Sequence, residues 1–200
     1  MASRIILLMI AVLGAHRAPG LATEMPGSVL AFDALAACHE ATGGSEVERR
    51  ASLDRGLALA ERAVAIDDTD AAAHFAVFCN LGRRIKLDGL HIWQLGTVHR
   101  VRREIDRTLE LAPSATAALV AKAALLLELP RLLGGDAAAA AEVARRAIAS
   151  DPASPTAHRV LARALAARGA SQEARHELAS ALPSDDGDDG RTLLTTRDDP

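Results

Sequence analysis

The sequence predicts an all-α fold, an array of about four degenerate helical hairpins (an α-solenoid). Half of the 200 residues are hydrophobic, but only 2% are aromatic and none is tyrosine. The apolar residues are mostly alanine and leucine, which are strong helix formers, whereas strands favour β-branched and aromatic residues. Apolar positions also recur at helical spacing in paired segments that a glycine or proline separates. Together these observations predict closely packed helix pairs.

Residues 1–22 are predicted to form a signal peptide. Arg4 supplies a positive charge, residues 5–15 form an apolar run, and Gly20 and Ala22 are small residues before a cleavage site. The run is shorter than the roughly 20 apolar residues of a membrane-spanning helix. We therefore expect a periplasmic or secreted protein with no membrane span after cleavage. An uncleaved N-terminal membrane anchor is the alternative.

Residues 23–182 are predicted to be one helical repeat domain. Three of its helix pairs close at turn residues, Asp68, Pro113 and Pro152, which lie 45 and 39 residues apart. The common period for hairpin repeats of this kind is 34, so the inner units carry insertions, and the longer one is residues 88–97. The eight predicted helices cover residues 28–42, 45–70, 73–87, 98–114, 114–129, 137–150, 155–168 and 171–182.

Local signals mark the corners of the last two pairs. Pro130 stops a helix, Gly134 and Gly135 permit a tight corner, and Asp136 is a predicted N-cap. Gly169 is predicted to end the next helix in a left-handed conformation. The last pair is expected to bury one face of each helix, with these residues on the buried faces: His158, Leu161, Ala162, Leu165, Ala174, Leu178 and Ala181.

Residues 183–200 form an acidic tail that we expect to be disordered, because it has no helical period and little to bury. Removing the signal peptide changes the formal charge of the chain from −3 to −5. The tail, with six Asp and two Arg, accounts for −4 of this charge. The helical body is close to neutral, so it lacks the basic face that nucleic-acid binding requires. Leu193 and Leu194 are either a short docking segment or part of a solvated tail.

The two cysteines, Cys38 and Cys79, fall in the predicted first helices of neighbouring pairs. An exported protein can hold a disulfide, and first helices pack side by side in such arrays. The two residues are therefore either a disulfide or two small buried thiols.

Partner-binding candidates cluster around the longer insertion. Trp93 either contacts a partner, since Trp often dominates interface energetics, or packs over the hydrophobic core where the insertion folds back. Arg83, Arg84, His91 and Arg100 lie on either side of it. With Lys86, Arg102 and Arg103, these arginines form either a patch that binds an anion or an acidic partner, or a helix surface neutralised by Glu104, Asp106 and Glu110. Arg103 is spaced to pair with Asp106, and Arg107 with Glu104 or Glu110.

No catalytic constellation, cofactor motif or metal site is expected. The histidines lack the i, i+4 pairing that places two rings on one ion, and no C-x-x-C occurs. The sequence also lacks G-x-S-x-G and P-loop motifs. We therefore do not expect an enzyme.

The repeat pattern resembles tetratricopeptide-repeat proteins. The segment 129–136 (LPRLLGGD), followed by an Ala-rich helix and ASDP at 149–152, more narrowly resembles the T component of periplasmic tetratricopeptide-associated TRAP transporters. Residues 105–114 are more weakly similar to the regulator of microtubule dynamics family. The T-component resemblance implies an all-helical accessory that associates with an extracytoplasmic solute-binding protein.

The expected function is therefore an exported helical-repeat adaptor that binds another protein, a periplasmic solute-binding protein being the implied partner. The alternative is a carrier that holds an apolar small molecule in an interior lined by alanine and leucine.

Overall fold

The computed structural model describes residues 26–89 and 95–181, and every regular element in these ranges is helical. Eight α-helices follow one another as four antiparallel hairpins, as predicted, and a short 3₁₀ turn, Arg131–Leu133, precedes α6. The helices are α1 (Gly27–Glu40), α2 (Glu46–Ile66), α3 (Ala71–Asp88), α4 (Leu95–Leu111), α5 (Thr116–Glu128), α6 (Ala137–Ser150), α7 (Pro155–Ala167) and α8 (Ser171–Ser180).

The predicted signal peptide and acidic tail lie outside the described residues, as do Trp93 and His91. Among the helices that the structure does describe, none combines the length and apolar character needed to cross a bilayer.

Three turns with the same hydrogen bond connect the hairpins. Each turn joins the amide of its fourth residue to the carbonyl of its first: Asp70 to Asp67 at 3.4 Å, Ala115 to Ala112 at 3.1 Å, and Ser154 to Asp151 at 3.2 Å. The closing residues of the sequence, Asp68, Pro113 and Pro152, occupy the second position of these turns. The turn at Asp68 thus has the repeat geometry without a proline.

The corner between α5 and α6 confirms the local predictions. Asp136 Oδ1 accepts hydrogen bonds from the amides of Ala138 and Ala139 at 2.8 and 3.1 Å. Gly134 has a φ of +88°, the left-handed conformation that the corner needs. Gly135 is needed for a different reason, because a Cβ there would collide with the backbone of Leu129.

The hairpins pack into one continuous helical stack. α2 lies against both α1 and α3, α6 lies against both α5 and α7, and the first helices also meet in pairs, α1 with α3 and α5 with α7. The interior is built mainly of alanine, so helix axes can approach closely. Phe78 and Leu125 contact the core on both sides of the middle of the stack and join its two halves.

Two contacts fix α1 to the second hairpin. Cys38 of α1 and Cys79 of α3 form a disulfide, with their Cα atoms 6.1 Å apart. Next to it, the buried Asn80 side chain donates to the carbonyl of Ala34 in α1 at 3.0 Å. Gly56 of α2 faces this amide, and a Cβ there would lie 2.8 Å from Asn80 Cγ. The three helices therefore meet where a glycine makes room for a buried asparagine.

The last hairpin departs from the prediction at one position. Leu161, Ala162, Leu165, Ala174 and Ala181 are buried as expected, but Leu178 is 47% exposed. Within the described residues no further helix follows α8, so the outer side of α8 is left uncovered.

Candidate partner-binding site

The three arginines among the partner-binding candidates, Arg83, Arg84 and Arg100, have different surroundings. Arg84 of α3 forms ion pairs with Asp54 of α2 and with Asp88. Arg100 of α4 pairs with Glu61 of α2 at 2.7 Å. These two side chains thus hold their helices against α2, which leaves Arg83 as the member of the group without a carboxylate partner among the described residues.

The carboxylates expected to neutralise this region pair only partly with the side chains that the sequence indicated. Arg107 pairs with Glu110 at 3.3 Å, as the spacing indicates. Asp106 instead binds Lys122 of α5 at 2.7 Å. Glu104 pairs with Arg100 at 3.6 Å within α4, as the neutralised surface predicts, and it also lies 2.7 Å from Nδ1 of His74 in α3. Contacts between helices therefore add to the pairs within one helix and replace only some of them.

Arg83 lies at a surface cleft of about 440 Å³ between the α1–α2 corner and the C-terminal half of α3. Arg49 and Lys86 also line it. Arg49 was not among the residues that the sequence indicated, because it stands in another helix, 34 positions before Arg83.

Arg102 has a structural role. Its Nη1 donates to the carbonyl of Leu133 at 3.0 Å and so ties the α5–α6 corner to α4. Beside this contact, Leu132 is 98% exposed at the tip of the corner.

A histidine joins the closing turn to the second helix in two hairpins. His158 Nδ1 lies 2.7 Å from Glu177 Oε2 of α8, and its Nε2 lies 3.0 Å from the carbonyl oxygen of Pro152. His74 makes the same pair of contacts, to Glu104 at 2.7 Å and to the carbonyl of Asp68 at 2.9 Å. Each histidine follows its closing residue by six positions, and this shared offset is the sequence signal that could have revealed the contact.

The His158 contact makes stability depend on pH. A carboxylate and a carbonyl can only accept, so the ring satisfies both only when both nitrogens carry hydrogen. The hydrogen bond to Glu177 raises the pKa of His158 above its ordinary value of 6.5, partial burial opposes this, and the bond to Pro152 adds to it. Stabilisation by a group with a raised pKa is fully present below the unfolded-state pKa and is lost as pH rises through the folded-state pKa.

Glu177→Gln is therefore expected to lower the free energy of unfolding by about 1–2 kcal/mol at about pH 6, and this difference should shrink as the pH rises. Urea unfolding of both proteins across the pH range measures it. His176→Gln is the control, since His176 is an exposed histidine of the same hairpin. A difference between wild type and Glu177→Gln that stays constant with pH would contradict the account.

The exposed side of the first helices forms a second surface, here called the first-helix face. Counted from the closing residues, equivalent positions on α3, α5 and α7 change from half-buried apolar residues to exposed arginines. The residues seven positions after Asp68, Pro113 and Pro152 are Phe75, Val120 and Arg159, respectively. Those eleven positions after them are Cys79, Ala124 and Arg163. One side of the stack thus runs from an apolar end to a basic end.

Within residues 26–89 and 95–181, no three His, Cys, Asp or Glu side chains are grouped so that they could hold a metal ion. The disulfide engages both cysteines.

Comparisons with known proteins agree with this architecture. Residues 131–195, which include α6 to α8, match the tetratricopeptide-repeat family model. No curated protein sequence matches the chain. The fold is similar to the solved structure of "MamA RS-1 ArsTM double mutant", with a TM-score of 0.53 and 18% identity over 76% of this chain and 73% of that one. It is also similar to MamA AMB-1, with a TM-score of 0.50 and 15% identity over 85% of this chain and 99% of that one.

Identities this low establish the fold only. The family match covers less than half of the chain, and it lies in the part where the helix–glycine–helix pattern of the sequence is clearest. The C-terminal part therefore carries a tetratricopeptide-repeat signature, and the described chain as a whole is a stack of hairpins of that kind.

Proposed function

We propose that this protein is an exported adaptor that holds another protein on its first-helix face. The observation that carries the proposal is the stack itself, because side-by-side first helices form an extended surface on a frame that is cross-linked by ion pairs. Arg159 and Arg163 are exposed at one end of this face and have no carboxylate partner among the described residues. Arginine is enriched among the residues that dominate protein interfaces.

Export is supported by the composition of residues 1–22 and by the disulfide. Disulfides persist in the periplasm and outside the cell and are rare in the cytosol. A periplasmic solute-binding protein is the partner that the resemblance of residues 129–136 to transporter T components favours. The tetratricopeptide match of residues 131–195 supports the broader role of protein binding.

The alternative of an apolar-ligand carrier gains no support from the two surface clefts at α8 and at the α1–α2 corner. Each is lined in part by charged side chains, such as Glu173 in the first and Arg49 in the second. Many side chains of the alanine-rich interior are fully buried.

Photo-crosslinking in the native host, from one exposed position on each side of the stack, tests the proposal. A discrete protein adduct is expected from the first-helix face, and mass spectrometry of the adduct identifies the partner. An adduct with a periplasmic solute-binding protein would support the transport role. An adduct with a different protein would support the adaptor function but contradict the transport role.

A further inference from the structure

The last hairpin, α7 and α8, carries an excess of positive charge that its own carboxylates do not neutralise. Its charged residues besides histidine are Arg159, Arg163, Arg168, Arg175, Glu173 and Glu177, a formal charge of +2. Glu177 is engaged by His158 at 2.7 Å. Arg159 donates to the hydroxyl of Thr156 at 3.1 Å, and neither it nor Arg163 pairs with a carboxylate among the described residues. Both guanidinium groups therefore keep donors available for an anion.

The last described residue, Ala181, lies close to these two arginines. The contact between Glu177 and His158 places the last turn of α8 beside the first turn of α7. Arg159 directly follows His158, and Ala181 follows Glu177 by four positions. Four helical residues rise about 6 Å, and packed helix axes lie about 8–10 Å apart. The backbone of Arg159 is therefore on the order of 10–15 Å from Ala181.

The residues that follow Ala181 carry the opposite charge at a matching distance. Residues 185–189, here called the acidic stretch, contain no basic residue, and their four carboxylates belong to Asp185, Asp186, Asp188 and Asp189. At about 3.3 Å per extended residue, Asp185 can reach about 13 Å from Ala181 and Asp189 about 26 Å. Arg163 stands one helical turn, about 6 Å, beyond Arg159. Both arginines therefore fall within the reach of the acidic stretch.

We propose that the acidic stretch binds Arg159 and Arg163 of its own chain. A carboxylate and the guanidinium fork form charge-assisted hydrogen bonds, often two in parallel. Exposed ion pairs are individually weak. Since only residues 182–184 separate the acidic stretch from the described hairpin, its effective concentration at α7 is on the order of millimolar or higher. Pairs too weak to hold a separate peptide can therefore form within one chain.

Binding of the acidic stretch would cover the basic end of the first-helix face. Arg159 and Arg163 form that end, so the stretch and a docked protein compete for the same two side chains. This consequence rests on the proposed function, whereas the contact itself does not. The acidic stretch thus acts as an internal competitor, which a partner must displace to occupy the whole face.

The reactivity of individual arginines in the full chain tests the contact. Phenylglyoxal modifies accessible guanidinium groups, and peptide mass spectrometry gives the rate at each one. Replacing the four aspartates of the acidic stretch with asparagine is expected to speed modification of Arg159 and Arg163 at least about threefold, and added salt should remove the difference. Arg103, an exposed arginine of α4, is the reference within the same molecule and should keep its rate.

The matched control replaces Asp198 and Asp199 with asparagine and should leave the rates at Arg159 and Arg163 unchanged. Protection in the wild type should also stay constant over a roughly hundredfold range of protein concentration, because the contact is intramolecular. Equal rates in the wild type and the acidic-stretch variant would overturn the proposal, and so would protection that rises with concentration, which would assign the contact to a second copy. Failure to capture a partner from the first-helix face would instead count against the adaptor role alone.

Discussion

Replacing Cys38 and Cys79 with alanine is expected to lower the free energy of unfolding by about 4 kcal/mol. The two residues are 41 positions apart, and a cross-link that closes a loop of this size restricts the unfolded chain by about that amount in the chain-entropy model. The disulfide also joins α1, the first described helix, to α3. Its loss should therefore loosen the first hairpin before the rest.

Urea unfolding of the wild type and the double variant measures this difference. Dithiothreitol should lower the stability of the wild type to that of the variant and leave the variant itself unchanged. A loss of less than about 1 kcal/mol would show that the disulfide contributes little to the folded array, against the expectation of a few kcal/mol for such a bond.

Gly56→Ala and Gly82→Ala are expected to change stability in opposite directions. A Cβ at Gly56 would lie 2.8 Å from Asn80 Cγ and 3.0 Å from Ala37 Cβ, so the buried amide that binds α1 would have to move. Overpacking of this kind costs about 1–3 kcal/mol. A Cβ at Gly82 meets no atom within 4 Å, and alanine there gains up to about 1 kcal/mol in helix propensity.

Thermal unfolding of the two single variants decides this prediction, since each acts as the control for the other. The melting temperature of Gly56→Ala should fall and that of Gly82→Ala should rise. An unchanged melting temperature in Gly56→Ala would mean that α2 does not approach α3 and α1 as closely as the structure shows.

Features set by neighbouring residues could be predicted from the sequence. The Asp136 cap depends on amides two and three positions away, and Gly134 and Gly169 take the left-handed conformation that ends their helices. The closing turn at Asp68 follows in the same way from its position between two helical segments.

Features that depend on how one helix is rotated against another could not be predicted. Arg84 and Arg100 each pair with a carboxylate four positions on in the same helix, which spacing can indicate, but each also meets a carboxylate of α2 at least 30 positions away in sequence, which it cannot. Arg49 reaches the cleft for the same reason. The pattern of a single helix shows which face is apolar, but it does not show which charged side chains of a neighbouring helix will lie opposite.

The adaptor role is tested most directly by photo-crosslinking from two exposed alanines. Ala117 lies in the first turn of α5, and Ala149 lies in the last turn of α6. With p-benzoylphenylalanine in place of Ala117, irradiation of the native host should give one protein adduct, and the same substitution at Ala149 should give none. Adducts from Ala149 alone, or equal adduct patterns from both positions, would contradict docking on the first-helix face.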